Sequence, residues 1–272
     1  MEMCVIYNPA AARGRTHKRI EALRQALDSR AEFRPTKEPL HAEELAFQAA
    51  QSGFAVVAAA GGDGTVHEVA NGLLRANRPE VTFGLFPLGS ANDYAFTLGI
   101  GPETGLNPDS WKLPRAVDVG IIRAENGRER FFVNCLGLGF NSQVTIEARR
   151  IRWLQGVALY GWAFVKALAF RYSCPIMEIR LDDLSRKVPT FALSVVIGKR
   201  EGNLVVAPNA IPDDGWFDYL HAGALSRFEV LRYLPRLATG GDLPKDHPLI
   251  WQGRCREVTL QSEVPLTVHL DG

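Results

Sequence analysis

A carboxylate set among three glycines is the first place in this sequence where chemistry can be read. Asp63 lies in Gly61-Gly62-Asp63-Gly64-Thr65, directly after the apolar run 54–60 and before a segment with helical spacing. Glycines let backbone amides approach an anion closely, and the start of the next helix adds unpaired N–H donors and the positive end of its dipole. Such a turn can bind phosphate, or can serve simply as a tight βα connection. A carboxylate beside a polyphosphate is repelled unless a divalent cation lies between them, so the loop reads as a site for nucleotide plus metal. A second small-residue turn, Gly89-Ser90-Ala91-Asn92-Asp93, follows the next apolar run. Asn92 can simply cap the helix that follows. Ser90 and Asn92 can also donate to a nucleotide, and Asp93 can meet a metal shell or a substrate hydroxyl. Neither turn is a common nucleotide motif, since there is no P-loop lysine and no third glycine of G-x-G-x-x-G.

These turns need a scaffold, and the first hundred residues supply one by repeating a cycle of apolar run, polar or glycine-rich turn and helical spacing. That cycle is the pattern of a parallel α/β domain. Strands are expected at 4–7, 33–36, 54–60 and 81–86, and helices at 18–29, 42–52, 66–74 and 91–98. The turns at 8–15, 61–65 and 88–93 each follow a strand, so a parallel sheet gathers them at its carboxyl edge, where open α/β sheets bind ligands. Beyond Gly101 the texture changes, and a boundary is expected at 101–115, giving domains 1–110 and 111–272. Strands are expected at 116–123, 130–136, 176–181, 190–198, 216–222, 257–260 and 266–270, with helical segments at 142–170 and 226–237. Short strands between turn residues indicate an antiparallel sandwich or barrel with inserted helices.

Composition narrows the function classes. The chain has 272 residues, 46% of them hydrophobic, enough to bury a full core. Its 31 basic and 30 acidic residues leave a net charge of +1, with no global field to recruit nucleic acid or an anionic membrane. Cys4, Cys135, Cys174 and Cys255 lie far apart without metal-ligand spacing and read as reduced thiols of a cytoplasmic protein. The N-terminus lacks the basic residues of a signal peptide, and no apolar stretch reaches the roughly 18 to 20 residues a membrane span needs. Work on a lipid would be done from the surface.

The residues also resemble a family. Gly61-Gly62-Asp63-Gly64-Thr65 followed by Glu68-Val69-Ala70-Asn71-Gly72-Leu73, then Pro87-Leu88-Gly89-Ser90-Ala91-Asn92-Asp93-Tyr94-Ala95, looks like the catalytic domain shared by diacylglycerol kinases, sphingosine kinases and bacterial lipid kinases. Asn8-Pro9 is similar to that family's first-strand motif. The run from Pro208 to Asp218 resembles its second-domain Asp-Gly motif, and Leu270-Asp271-Gly272 its C-terminal one. The resemblance implies an α/β nucleotide-binding domain with a parallel sheet joined to a β-sandwich, ATP and Mg²⁺ in the cleft, and phosphoryl transfer to a lipid hydroxyl, diacylglycerol first. By position it implies that Asn8, Thr36, Gly61, Gly62, Asp63, Gly64, Thr65, Val66, His67, Glu68, Ser90, Asn92 and Asp93 contact the nucleotide. It casts Asp271 as general base, which suits the residue type: one carboxylate can orient an alcohol and take its proton as it attacks. By type alone Asp271 is a terminal residue and Asp214 a hairpin turn residue. The resemblance makes Asp214, with the carbonyls of Ile211 and Trp216, the holder of a structural Mg²⁺.

The resemblance also implies a peripheral protein of the inner membrane surface, with transient membrane contact and room for a homodimer. The apolar segment 157–170 is expected as a helix covering the sandwich. It also reads as an acyl-chain groove or a bilayer contact with Arg149, Arg150, Arg152 and Lys166 near head groups. The family continues some tens of residues past its last Asp-Gly, beginning with a Glu, so a fragment or a shortened member is expected, and Ala11-Ala12 stands where the family more often has Ser-Gly. Two rivals share these features. NAD kinase has the same Gly-Gly-Asp-Gly-Thr loop, but residues 68–73 and Asn92-Asp93 fit the lipid-kinase pattern better. The other rival is a nucleotide- or lipid-binding member without turnover.

Overall fold

The computed structural model describes residues 2–9, 16–101, 113–151, 153–154 and 156–272. The expectations for Ala11, Ala12 and Arg152 lie outside these residues. The chain divides into two compact units, Met1–Val133 and Asn134–Gly272.

The first unit is a parallel α/β domain. Strands β1 (Met3–Tyr7), β2 (Ala31–Pro35), β3 (Val56–Gly61) and β4 (Thr82–Pro87) form one parallel sheet in the order β2-β1-β3-β4. The strands read as continuous apolar runs because both faces are covered. Cys4, Ile6, Val57 and Ala59 point to helices α2 (His41–Gln51) and α3 (Asp63–Ala76), packing with Ala46, Ala49, Val66 and Val69. Their neighbours Met3, Val5, Ala58 and Ala60 point the other way, to Ile20, Leu23 and Leu27 of helix α1 (Thr16–Leu27). Helices α2 and α3 approach closely: a Cβ on Gly72 would lie 2.2 Å from the Glu43 carbonyl oxygen. After the short helix α4 (Asp93–Thr97) comes a hairpin of β5 (Gly120–Arg123) and β6 (Glu129–Phe132). Asn71 of α3 holds this hairpin, donating to the Phe131 carbonyl at 3.0 Å and accepting from its N–H at 3.1 Å.

The second unit is built on antiparallel sheets. Strands β7 (Cys135–Gly139), β10 (Ala192–Val196), β13 (Phe217–Ala222), β14 (Ile250–Cys255) and β16 (Val268–Leu270) form one sheet in the order β14-β13-β10-β7-β16. A second sheet has the order β15-β8-β9, from β8 (Ile176–Leu181), β9 (Leu184–Pro189) and β15 (Val258–Ser262). A small hairpin joins β11 (Arg200–Glu201) to β12 (Leu204–Val205). Helices α5 (Phe140–Arg150), α6 (Gly156–Phe170) and α7 (Arg227–Thr239) complete the unit. Ala167 and Leu168 of α6, Val230 and Tyr233 of α7, and Ala192 and Val196 of β10 share one core.

Three local expectations are corrected. The stretch 130–136 is two strands, because Asn134 leaves the ladder: its N–H donates to Asp271 and its carbonyl accepts from Ile197 and Gly198. The stretch 142–170 is two helices, because Ile151 takes an extended conformation and buries its side chain. Strands β9 and β14 were not expected. β9 is an exposed edge strand of Ser, Arg and Lys, the charged composition that discourages edge pairing. β14 carries Gly253, where a Cβ would lie 2.7 Å from the Tyr219 hydroxyl.

Candidate active site

In the first unit, the carboxyl edge of the parallel sheet holds a cleft of about 510 Å³, within the usual range for small-molecule sites. Asn8, Thr36, Gly62, Gly64, Thr65 and Glu68 line it, as do Lys37, Glu38 and the adjoining prolines. These six residues were expected together. Lys37 was not; it follows β2 in the polar run Thr36-Lys37-Glu38, and its position at a sheet edge was the signal available. Thr36 is held by its N–H to the Tyr7 carbonyl at 2.8 Å. Glu68 has its own task, accepting the N–H of Ala42 at 3.1 Å and so capping α2.

The glycines of the turn differ in what they are for. Gly62, extended at the head of α3, faces the second turn. A Cβ on Gly89 would lie 2.3 Å from the Gly62 Cα, so neither turn has room for a side chain here. A Cβ on Gly61 would strike Thr65 Oγ1 at 2.5 Å. Gly64 is different: a Cβ there would meet nothing within 4 Å, and the position opens onto the cleft. It lies in the first turn of α3, whose Thr65 and Val66 N–H groups already donate to the Gly62 carbonyl at 2.9 and 3.1 Å. The space beside Gly64 is where an anionic group can approach the positive end of the α3 dipole.

Asp63 is aimed elsewhere than the sequence suggests. Its Oδ2 accepts the N–H of Asn92 at 2.9 Å, and its Oδ1 that of Tyr94 at 3.4 Å. The carboxylate thus ties the first glycine turn to the start of α4. Burial pushes its carboxyl above the usual range, against the pull of the amides of Tyr94, Asn92 and Asp93. No bridging cation is needed to explain a carboxylate so engaged, and Asp63 does not fit as a dedicated metal ligand. Asn92 is likewise occupied: its Oδ1 accepts the Gly89 N–H at 2.9 Å, and its Nδ2 donates to the Gly89 carbonyl at 3.0 Å. Its left-handed backbone, φ 54°, completes the turn. Leu88 N–H to Gly61 carbonyl, at 2.9 Å, is a further tie between the turns.

The remaining expected residues stand apart from the cleft lining. Val66 packs in the α2–α3 core, His67 lies beside Asn71 on α3, Ser90 is exposed and Asp93 is buried. In the second unit, Asp214 accepts the Trp216 N–H at 3.1 Å and pairs with Arg254. A cation held there would have to displace the guanidinium, and among the described residues no cluster of three or more His, Cys, Asp or Glu could hold a metal. Ile211 is exposed, and Trp216 lies under Arg254 and Arg256.

Asp271 is only 3% exposed. Its Oδ1 accepts the N–H groups of Asn134 and Cys135 at 2.8 and 2.9 Å, and its own N–H donates to the Cys135 carbonyl at 2.9 Å. The left-handed backbone, φ 48°, turns the side chain back toward those amides. A carboxylate fixed in this way is pre-oriented, as a group that accepts a proton from a substrate must be.

A parallel α/β unit with paired glycine turns over a cleft, followed by an antiparallel unit carrying a pre-oriented carboxylate, defines the class of two-unit phosphotransferases that includes the lipid kinases. The chain belongs to the family of YegS-like lipid kinases: residues 2–122 match the model of the diacylglycerol kinase catalytic domain, and residues 134–272 match that of the YegS C-terminal NAD kinase beta sandwich-like domain. A protein of Chromohalobacter salexigens named "Probable lipid kinase YegS-like" is 34% identical over 84% of this chain and 72% of its own length. A diacylglycerol kinase of Mycobacterium tuberculosis is 29% identical over 85% and 74%. The fold is shared with a crystal structure of a diacylglycerol kinase from Bacillus anthracis, with a TM-score of 0.72 and 21% identity over 100% of this chain and 89% of that one.

Proposed function

We propose that this chain is an ATP-dependent lipid kinase that moves the γ-phosphoryl group of ATP to a lipid hydroxyl, with diacylglycerol as the first acceptor. The observation that carries the reading is the open space at Gly64, on a cleft with Lys37 among its lining residues: a helix N-terminus and an ammonium group suit phosphate, and nothing in the protein's own packing requires a glycine there. Thr36 and Asn8 bound the same cleft and would position the nucleotide. Asp271 would take the proton of the attacking alcohol, its Oδ1 held by two amides throughout. Mg²⁺ would arrive as the counter-ion of the nucleotide; no residue of this chain is assigned to it.

A lipid acceptor agrees with the outer side of α6. Ala158, Trp162, Val165 and Ala169 follow helical spacing on an exposed face, with Phe170 80% exposed at its end. Trp153 and Trp162 pack edge to face at 6.3 Å, and indoles favour the membrane interface. Arg150, Lys166 and Arg171 gather on the single carboxylate of Glu147, leaving positive charge in excess for anionic head groups. Contact with the inner membrane surface through α6 follows from this reading. Among the described residues no helix is long and apolar enough to cross a membrane.

The test is transfer of labelled phosphate from ATP by the purified chain in mixed micelles of diacylglycerol, phosphatidylglycerol or sphingoid bases. Labelled phosphatidic acid, lost in Asp271→Asn, is the expected result. No labelled lipid from any of these alcohols, or NADP formed from NAD, overturns it.

A further inference from the structure

Residue Asp271 follows β16, the shortest strand of its sheet and an edge strand that pairs with β7 alone. Three residues of edge pairing specify register weakly, and a one-residue slip would turn the carboxylate to the other face. Something besides the ladder must fix it. Two residues before Asp271, His269 lies opposite Gly137 in the β7–β16 register. Its Nε2–H donates to Oε1 of Glu201 at 2.7 Å, with the two side chains 10% and 7% exposed. The contact passes over Gly137, where a Cβ would lie 2.2 Å from Glu201 Oε1 and 2.3 Å from His269 Nε2. The pair therefore ties the edge strand to β11 across the strand between them.

The tie closes a ring. Glu201 follows Arg200, whose carbonyl accepts Asn134 Nδ2 at 2.9 Å. Asn134 donates its N–H to Asp271, and its carbonyl takes the N–H groups of Ile197 and Gly198. Asp271, Asn134, Arg200, Glu201 and His269 are thus linked back to Asp271 by hydrogen bonds and short stretches of chain. Three buried atoms on the ring, Asn134 Oδ1, Glu201 Oε2 and His269 Nδ1, have no protein hydrogen-bond partner. Such atoms are costly in a purely structural core, where an apolar pair would hold β16 without them.

We infer that Glu201 and His269 are positioning residues that hold the Asp271 carboxylate in place. The inference rests on the reading of Asp271 as the base, but its structural part can be measured without turnover. Glu201→Ala and His269→Asn each lower kcat on the order of 10- to 100-fold, as small misplacement of a reacting group does. KM for ATP stays as it was, and Glu201→Gln restores most of kcat. In an Asp271→Asn background neither substitution lowers the residual rate further, because the group they position is gone. The amide proton resonances of Asn134 and Cys135, which report their bonds to Asp271, move in Glu201→Ala and His269→Asn. Should Glu201→Ala fail to fold, Gly137→Ala breaks the same contact from below.

An equal loss of rate in the wild-type and Asp271→Asn backgrounds, or unmoved Asn134 and Cys135 amides, overturns the inference. Full transfer by Asp271→Asn itself overturns the base assignment instead, and the amide resonances then decide positioning on their own.

Discussion

At the scale of single residues, the glycines separate into those the protein's own packing needs and one, Gly64, that it does not. Gly64→Ala adds a methyl group in open space and a better helix former, so its unfolding midpoint is expected to hold or rise, while ATP affinity by calorimetry falls. Gly89→Ala forces a methyl group against the Gly62 Cα and is expected to lose about 1–3 kcal/mol in urea unfolding. His221 is a second test. It is 1% exposed, stacked on Trp251 at 4.3 Å, and burial, with help from Arg186, pulls its pKa down from 6.5 to about 4. The unfolded chain therefore binds a proton between those values that the fold refuses. Stability is full above pH 6.5 and falls by roughly 3 kcal/mol as pH drops toward 4. His221→Phe, which keeps the stacking, is expected to flatten that acid slope in unfolding measured from pH 7 to 4. Residue types told where chemistry gathers but not what each group does. The sequence reading gave Asp63 a cation, and the fold gives it the amides of Asn92 and Tyr94. Glu201 and His269 lie 68 positions apart, and nothing local marks either.

At the scale of elements, Asp63 makes two turns behave as one. Asp63→Asn puts an NH₂ group against an N–H donor of α4, and is expected to cost about 1–3 kcal/mol in chemical unfolding. Transfer should fall with it, since the second turn is what confines Gly62. Helix α6 carries a different expectation. Trp162→Ser with Val165→Ser changes half-exposed positions and loses the contact with Trp153, so thermal unfolding should fall only by a few degrees, about 1–2 kcal/mol; sedimentation with vesicles containing anionic lipid should drop severalfold. Unchanged pelleting would remove α6 as the membrane contact. Elements were legible where the hydrophobic period was strong, as in the parallel strands, whose two covered faces leave uninterrupted apolar runs. They were hidden where long-range partners decide: β9 is polar because it is an edge, and the helical period from 142 to 170 does not reveal the break at Ile151.

At the scale of the whole molecule, two units with separate cores predict a local response to ligand. Saturating ATP should slow hydrogen exchange in the first turn of α3 and around Thr36, with exchange in β8, β9 and β15 unchanged. Protection of that sheet as well would contradict it. The order of a parallel α/β unit followed by an antiparallel one was legible because it depends on the alternation of strand and helix spacing, which tertiary contacts rarely override. Which strands are neighbours was not, because β7 and β16 meet from opposite ends of the second unit. That pairing has a kinetic consequence. Asn134 and Cys135 leave the ribosome 136 or more residues before Asp271, so the amides that will hold the carboxylate wait, unpaired by it, while the rest of the unit is made. Non-local closure of this kind is slow. The bonds from Asn134 and Cys135 to Asp271 should form late, appearing as a slow phase in refolding.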